Sequence, residues 1–269
     1  MNCKNFSLNF NKVLVMGILN VTPDSFSDRG KFLDTQKAVQ QAHQMIKEGA
    51  DIIDIGGEST KPGSEPVSSE EELKRVIPVI EALKDIKIPI SIDSNKPDVV
   101  DTCLEAGASL VNDVTGLRNP EMIKVIAKHK VPVIIMHMLG DPKTMQNQPE
   151  YNDVVKEVKD YLSNQASIAK KAGIKDIIID VGIGFGKTVE HNLELIKRLD
   201  EFTDLEYPIL IGPSRKSFIG KLTGKEVEDR LEGTLSAVAA CVLNGANIVR
   251  VHDVKECKQV IIVAEAING

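Results

Sequence analysis

Eight short apolar runs, each closing on polar residues able to do chemistry, constrain this chain more than any other feature. They are VLVMGILN (13–20), DIIDIGGES (51–59), IPISID (88–93), SLVNDV (109–114), VPVIIMH (131–137), DIIIDVG (176–182), PILIGPSRK (208–216) and NIVRVHD (247–253). Their ends carry Asn20, Glu58, Asp93, Asn112 with Asp113, His137, Asp180, Ser214 to Lys216, and Arg250 with His252. Ile and Val dominate, as expected of parallel strands covered on both faces. Segments of helical period lie between the runs, at 35–50, 68–86, 97–106, 120–129, 150–172, 189–200, 228–244 and 254–267. This alternation, unbroken by any linker-like stretch, predicts one α/β domain over 1–269. The expected fold is a (β/α)8 barrel whose site is built at the carboxyl ends of the strands. Residues 1–12 are too few for a domain and are expected to cover the opposite end. Asp34 is the expected N-cap of the first helix and Ser68 opens the second.

The chain is acidic, with formal charge −6, which offers no general attraction for nucleic acid or an anionic membrane. An anionic ligand would need a local basic cluster. Cys3, Cys103, Cys241 and Cys257 show no metal-ligand spacing and are expected to be idle thiols in a reducing compartment. No signal peptide is evident and no run approaches the roughly 18 apolar residues of a membrane span, so a cytoplasmic protein is expected.

Three long loops follow strand-like runs, at 20–32, 56–68 and 137–151, and would lie over the barrel mouth. GIGFGKT (182–188) is not a phosphate loop, because that motif would need glycine at Val181. It reads instead as a turn that lets backbone approach a ligand beside Asp180. In IGPSRKSF (211–218) two cations and two hydroxyls fall within four residues, able to hold an oxyanion or a ring carbonyl. The other reading of that segment is a solvated basic turn. Arg250 and His252 share one face of the last strand and are expected beside Asn20, as a site for phosphate with a divalent cation. His252 as a satisfied core histidine is the alternative. Asp93, Asp180 and Asn112 suit an amidine- or guanidine-like edge, whose paired N–H groups their oxygens would accept. Met136 and Met138 could pack on a flat ring or simply fill core. His43, His129 and His191 fall in helical patterns and are not read as ligands.

The motifs MGILNVTPDSFSD, DIGGESTKPG, ISID, VNDV, MHM with GDPKTMQ, GIGFGKT, PSRKSF and VRVHDV, in this order, resemble the dihydropteroate synthase family over nearly the whole chain. The resemblance implies a transferase that joins 6-hydroxymethyl-7,8-dihydropterin diphosphate to p-aminobenzoate and releases diphosphate, with Mg2+ as cofactor and a homodimer through the later helices. It implies that Asp93, Asn112, Asp180 and Lys216 bind the pterin, with Met136 packing on it. Asn20, as metal ligand, with Arg250 and His252 would hold diphosphate and Mg2+. Phe26, Thr60, Pro62, Phe185, Lys216 and Ser217 would frame the p-aminobenzoate pocket, with Lys61 near the diphosphate. Asp93, Lys216, Arg250 and His252 would be the catalytic groups, with no protein nucleophile and no catalytic cysteine or Ser–His pair expected. Three positions depart from the family pattern: Lys61 for Arg, Arg29 for Gly and Val181 for Pro. A pterin-binding methyltransferase domain and an inactive pterin-binding homologue are the alternatives, although the former has no use for SRKSF or a diphosphate-binding Arg/His pair.

Overall fold

A computed structural model describes residues 1–22, 31–59, 64–140, 145 and 149–269, with backbone alone over 31–34. Each of the eight apolar runs forms a strand. Numbered after a short hairpin of β1 (Asn2–Cys3) and β2 (Phe6–Ser7), they are β3 (Leu14–Asn20), β4 (Ile52–Gly56), β5 (Ile90–Asp93), β6 (Leu110–Asp113), β7 (Val133–Met136), β8 (Ile177–Asp180), β9 (Ile209–Ile211) and β10 (Ile248–Val251). All eight pair in parallel, and β10 closes on β3 to complete the barrel.

The strand period of two sorts each run into two apolar populations. Leu14, Met16, Ile52, Leu110, Ile134, Ile178, Leu210 and Ile248 pack together inside the barrel. The alternate residues, among them Val15, Ile53, Val111, Ile135, Ile179 and Val249, join the large outer core beneath the helices. Cys3 and Leu8 belong to the inner cluster, with Met1, Phe6 and Phe10 packed against it. The N-terminal hairpin therefore plugs the barrel at the strands' amino ends, the expected place.

Helices cover the outside at or near the predicted positions. Pro97–Ala106 and Pro120–His129 begin on proline, which loses nothing at a first turn where N–H groups are unpaired anyway. Ser68 caps its helix by accepting from the Glu71 N–H. Asp34 does not cap: the first helix already runs from Lys31, placing Asp34 inside it. Ala38, Ala42 and Met45 are its buried stripe, and His43 is exposed. Two helical pieces escape the periodic reading, Ser217–Thr223 and the 3-10 turn Leu199–Leu205, both too short to show a repeat. The four cysteines are free and buried. Burial pushes Cys3, Cys103 and Cys257 up to about 12, so they are unreactive thiols.

Candidate active site

Two residues further along, about 7 Å higher, the inward position is polar on β4, β5, β6, β8 and β10 and stays apolar on β7. Ile52 is followed inward by Asp54, Ser91 by Asp93, Leu110 by Asn112, Ile134 by Met136, Ile178 by Asp180 and Ile248 by Arg250. Asp54, Asp93, Asn112 and Asp180 are all buried. The Arg250 guanidinium ties this layer together, with Nε donating to Asp54 Oδ2 at 2.6 Å and Nη2 to Asp93 Oδ2 at 2.7 Å. Asn112 Nδ2 donates to the same Asp54 oxygen at 3.1 Å. Asp180 accepts the Gly182 N–H at 2.7 Å.

Burial drives the electrostatics. It lifts Asp93 to about 7 against the pull of Arg250, with Asp54 and Glu72 adding to the rise. It raises Asp180 as well, opposed by the Gly182 N–H and Lys216. Lys216 falls to about 8 through burial and the charge of Arg250, although Asp180 and Asp93 support its charged form. For Arg250 the two carboxylates outweigh burial and hold it above the ordinary guanidinium range.

Beside the polar layer Val114, Met136, Met138, Met145 and Phe185 form a separate apolar cluster. Lys216 Nζ sits 4.1 Å from the centre of the Phe185 ring. The site thus offers a wall for a flat ring, an edge of oxygen acceptors and cations above them.

The Ser-Arg-Lys-Ser segment is divided rather than pooled. Only Lys216 enters the site. Arg215 turns away in a two-pronged pair with Asp253, at 2.6 and 3.0 Å. Ser217 is exposed at the start of its helix. Ser214 is buried against His252, in a contact that positions the ring. Ser214 Oγ accepts the His252 backbone N–H at 3.2 Å and lies 3.0 Å from Nδ1. With its own proton given to Nδ1, Ser214 would leave the other ring nitrogen, Nε2, as an N–H donor. Burial and the nearby arginines push His252 down to about 3, so the ring is neutral and no base for serine.

Asn20, Arg250 and His252 do not simply lie side by side. The register sets Arg250 opposite Met16, four residues below Asn20, and its side chain goes to Asp54 and Asp93. The link to Asn20 runs over Gly56. A Cβ there would lie 3.8 Å from Asn20 Oδ1 and 3.6 Å from Asp93 Cβ, so glycine keeps that gap open.

Three strand-end residues serve other purposes. Asp113 has outward parity and ties down its own turn through Thr115 and Leu117. Glu58 pairs with Lys96, which also donates to buried Glu72 at 2.6 Å. His137 is buried, with Lys187 Nζ 3.0 Å from Nδ1. Lys187 and Asp54 lie away from the run ends whose polar residues mark the rest of the site. Asp54 was nonetheless detectable, as a lone charge inside IIDIG at the parity of Ile52. Phe26, Thr60, Lys61, Pro62 and Arg29 lie outside the described residues.

Known proteins share this fold. The family model described as "Pterin binding enzyme" matches residues 16–252. The dihydropteroate synthase of Synechocystis sp. is 48% identical over 261 residues, covering 95% of this chain and 90% of the relative. The chain belongs to the dihydropteroate synthase family. Its fold agrees at TM-score 0.94 and 40% identity with the Yersinia pestis dihydropteroate synthase solved with a sulfonamide drug, covering 99% of this chain and 98% of the other. The Thermus thermophilus dihydropteroate synthase, solved with 4-aminobenzoate, superposes at TM-score 0.87 with 43% identity, covering 97% and 96%. As a dihydropteroate synthase family member the chain is a transferase. Of the three departures from the family pattern, Val181 alone is described, fully buried in the outer core.

Proposed function

We propose that this enzyme condenses 6-hydroxymethyl-7,8-dihydropterin diphosphate with p-aminobenzoate, giving 7,8-dihydropteroate and diphosphate. The observation that carries the reading is the buried acceptor edge of Asp93, Asn112 and Asp180 beside the Met136–Phe185 wall. An aminopyrimidine edge is rich in N–H donors and pairs with such acceptors, while its flat ring fills the apolar slot. Lys216, Arg250 and the Nε2 of His252 attract the negative diphosphate against the chain's own net charge.

Departure of diphosphate leaves positive charge on a carbon conjugated to the pterin ring, and the Asp93 carboxylate stabilises it. The aryl amine then attacks that carbon. Lys216, Phe185, Ser217 and the loop residues Phe26, Thr60, Lys61 and Pro62 are the proposed frame for its approach. No enzyme nucleophile enters: the thiols are buried and Ser214 serves to orient His252.

Magnesium fits the donor set. An amide oxygen, Asn20 Oδ1, stands across the Gly56 gap from Asp93, whose Oδ1 has no partner among the described residues. Hard oxygen donors of this kind suit Mg2+ completed by phosphate and water. Bound there, Mg2+ would neutralise charge developing on diphosphate.

Apolar side chains exposed on the last two helices, Leu243, Ile262, Val263 and Ile267, support a homodimer through that face. Among the described residues no helix is long and apolar enough to cross a membrane, in keeping with the proposed cytoplasmic setting.

The test is diphosphate release from the pterin diphosphate with Mg2+, with and without p-aminobenzoate, for wild type and Asp93→Asn. Wild type should form dihydropteroate, and the variant should fold and bind pterin but release diphosphate slowly. Normal release by the variant would refute the role of Asp93, and absence of product with wild type would refute the reaction.

A further inference from the structure

Asp54 is assigned no role by the family resemblance, yet it lies at the crossing of the groups that have one. It is fully buried in the middle of β4, on the inward face, directly above the apolar layer. One of its oxygens accepts both from Arg250 on β10 and from Asn112 on β6, so this single atom joins opposite sides of the barrel. Its other oxygen is buried and has no partner among the described residues. An ionised carboxylate with one orphan oxygen is expensive to bury, and an apolar residue at the parity of Ile52 would pack without that cost.

We infer that Asp54 is a positioning residue that determines which edge of a pteridine this enzyme accepts, by fixing the orientation of the Asn112 amide. A primary amide can present either its oxygen or its NH2 to a ligand, and the two ends have nearly the same shape. An ionised carboxylate only accepts, so the NH2 of Asn112 turns to Asp54 and its oxygen is what remains for the ligand. Asn112 Oδ1 then matches the carboxylates of Asp93 and Asp180, and the whole edge demands N–H donors. Without Asp54 the amide is free to turn over and donate, which would admit a carbonyl oxygen in place of an amino group. Arg250 strengthens the arrangement: with Nε on Asp54, its Nη2 addresses Asp93, while Nη1 makes no hydrogen bond among the described residues. The residue acts through Asn112 and Arg250, without touching the ligand.

This inference rests on the pterin reading of the pocket, and its test separates the two. Equilibrium binding of 6-hydroxymethylpterin and of its 2-oxo counterpart, 6-hydroxymethyllumazine, is measured on wild type and Asp54→Ala, with thermal unfolding followed alongside. Wild type should prefer the 2-amino compound. In Asp54→Ala that preference should narrow by about tenfold or more, through weaker binding of the pterin and retained or tighter binding of the lumazine. Asp54→Asn keeps the volume and supplies the same test if the alanine variant does not fold; its own amide competes for the Asn112 orientation, so its preference should narrow as well. A merely structural role would weaken both ligands in proportion and leave the ratio unchanged, which would overturn the inference. Wild type that binds neither pteridine would overturn the pterin reading itself, and the inference with it.

Discussion

Replacing Lys187 by Met removes a buried cation whose energetic signature depends on pH. Lys187 is 4% exposed, between His137 Nδ1 and the Phe185 carbonyl, each 3.0 Å from its Nζ. Burial lowers it from 10.5 to about 7, with Asp180 opposing and Lys216 adding to the fall. At ~1.4 kcal/mol per pH unit, that drop represents about 5 kcal/mol between the charged and neutral forms. Below about pH 7 the amine is charged in both folded and unfolded chains, and the native state bears the whole cost. From about 7 to 10.5 the native amine is neutral while the unfolded chain still binds its proton, so stability rises with pH, by up to ~1.4 kcal/mol per unit from this group. Above 10.5 the cost is gone. Met fills the same space with no charge and has no such slope. Urea unfolding of both proteins across this window isolates the effect, because most other titrations cancel in the difference. Wild-type stability minus that of Lys187→Met should climb as pH rises above about 7. Parallel pH profiles would refute the argument and place a charged Lys187 in the native state throughout.

Two further substitutions test the frame of the site. Gly182→Ala should cost well over ~2 kcal/mol in urea unfolding, because φ there is +69° and the new Cβ would fall 1.8 Å from the His137 carbonyl oxygen; a wild-type midpoint would show that this turn relaxes freely. Leu8→Ala at the barrel floor should destabilise by ~2–5 kcal/mol while kcat at 25 °C stays near that of wild type; a large loss of kcat in folded protein would show that the plug communicates with the mouth.

The residues of the site were legible wherever a polar side chain ended an apolar run at inward parity. Asp93, Asn112, Asp180 and Arg250 all satisfy that rule and meet in one buried layer. Asp113 shows its limit, because adjacent residues in a strand face opposite ways, and one step from Asn112 leads from the barrel mouth to a structural turn. Glu58 and His137 lie beyond the last strand residue, where parity no longer holds, and both are taken by lysines from other segments. The neighbour of a loop residue depends on how distant segments cross, and no local pattern records this.

Pattern alone was enough for the architecture. Eight β-branched runs alternating with helical periods leave few ways to bury both faces of a parallel sheet, and closing it into a barrel is the economical one. Motif order carried the family in the same way, since the chemistry of a pterin site demands particular groups at particular strand ends. Charge states and pairings came from packing. Arg250 belongs to Asp54 and Asp93 instead of standing directly beside Asn20, because the β10–β3 register sets it opposite Met16. Asp93 near 7, Lys216 near 8 and Lys187 near 7 are consequences of water being excluded from the barrel mouth. That exclusion exists only once all eight strands have closed around these groups, since an ion's desolvation depends on everything that surrounds it.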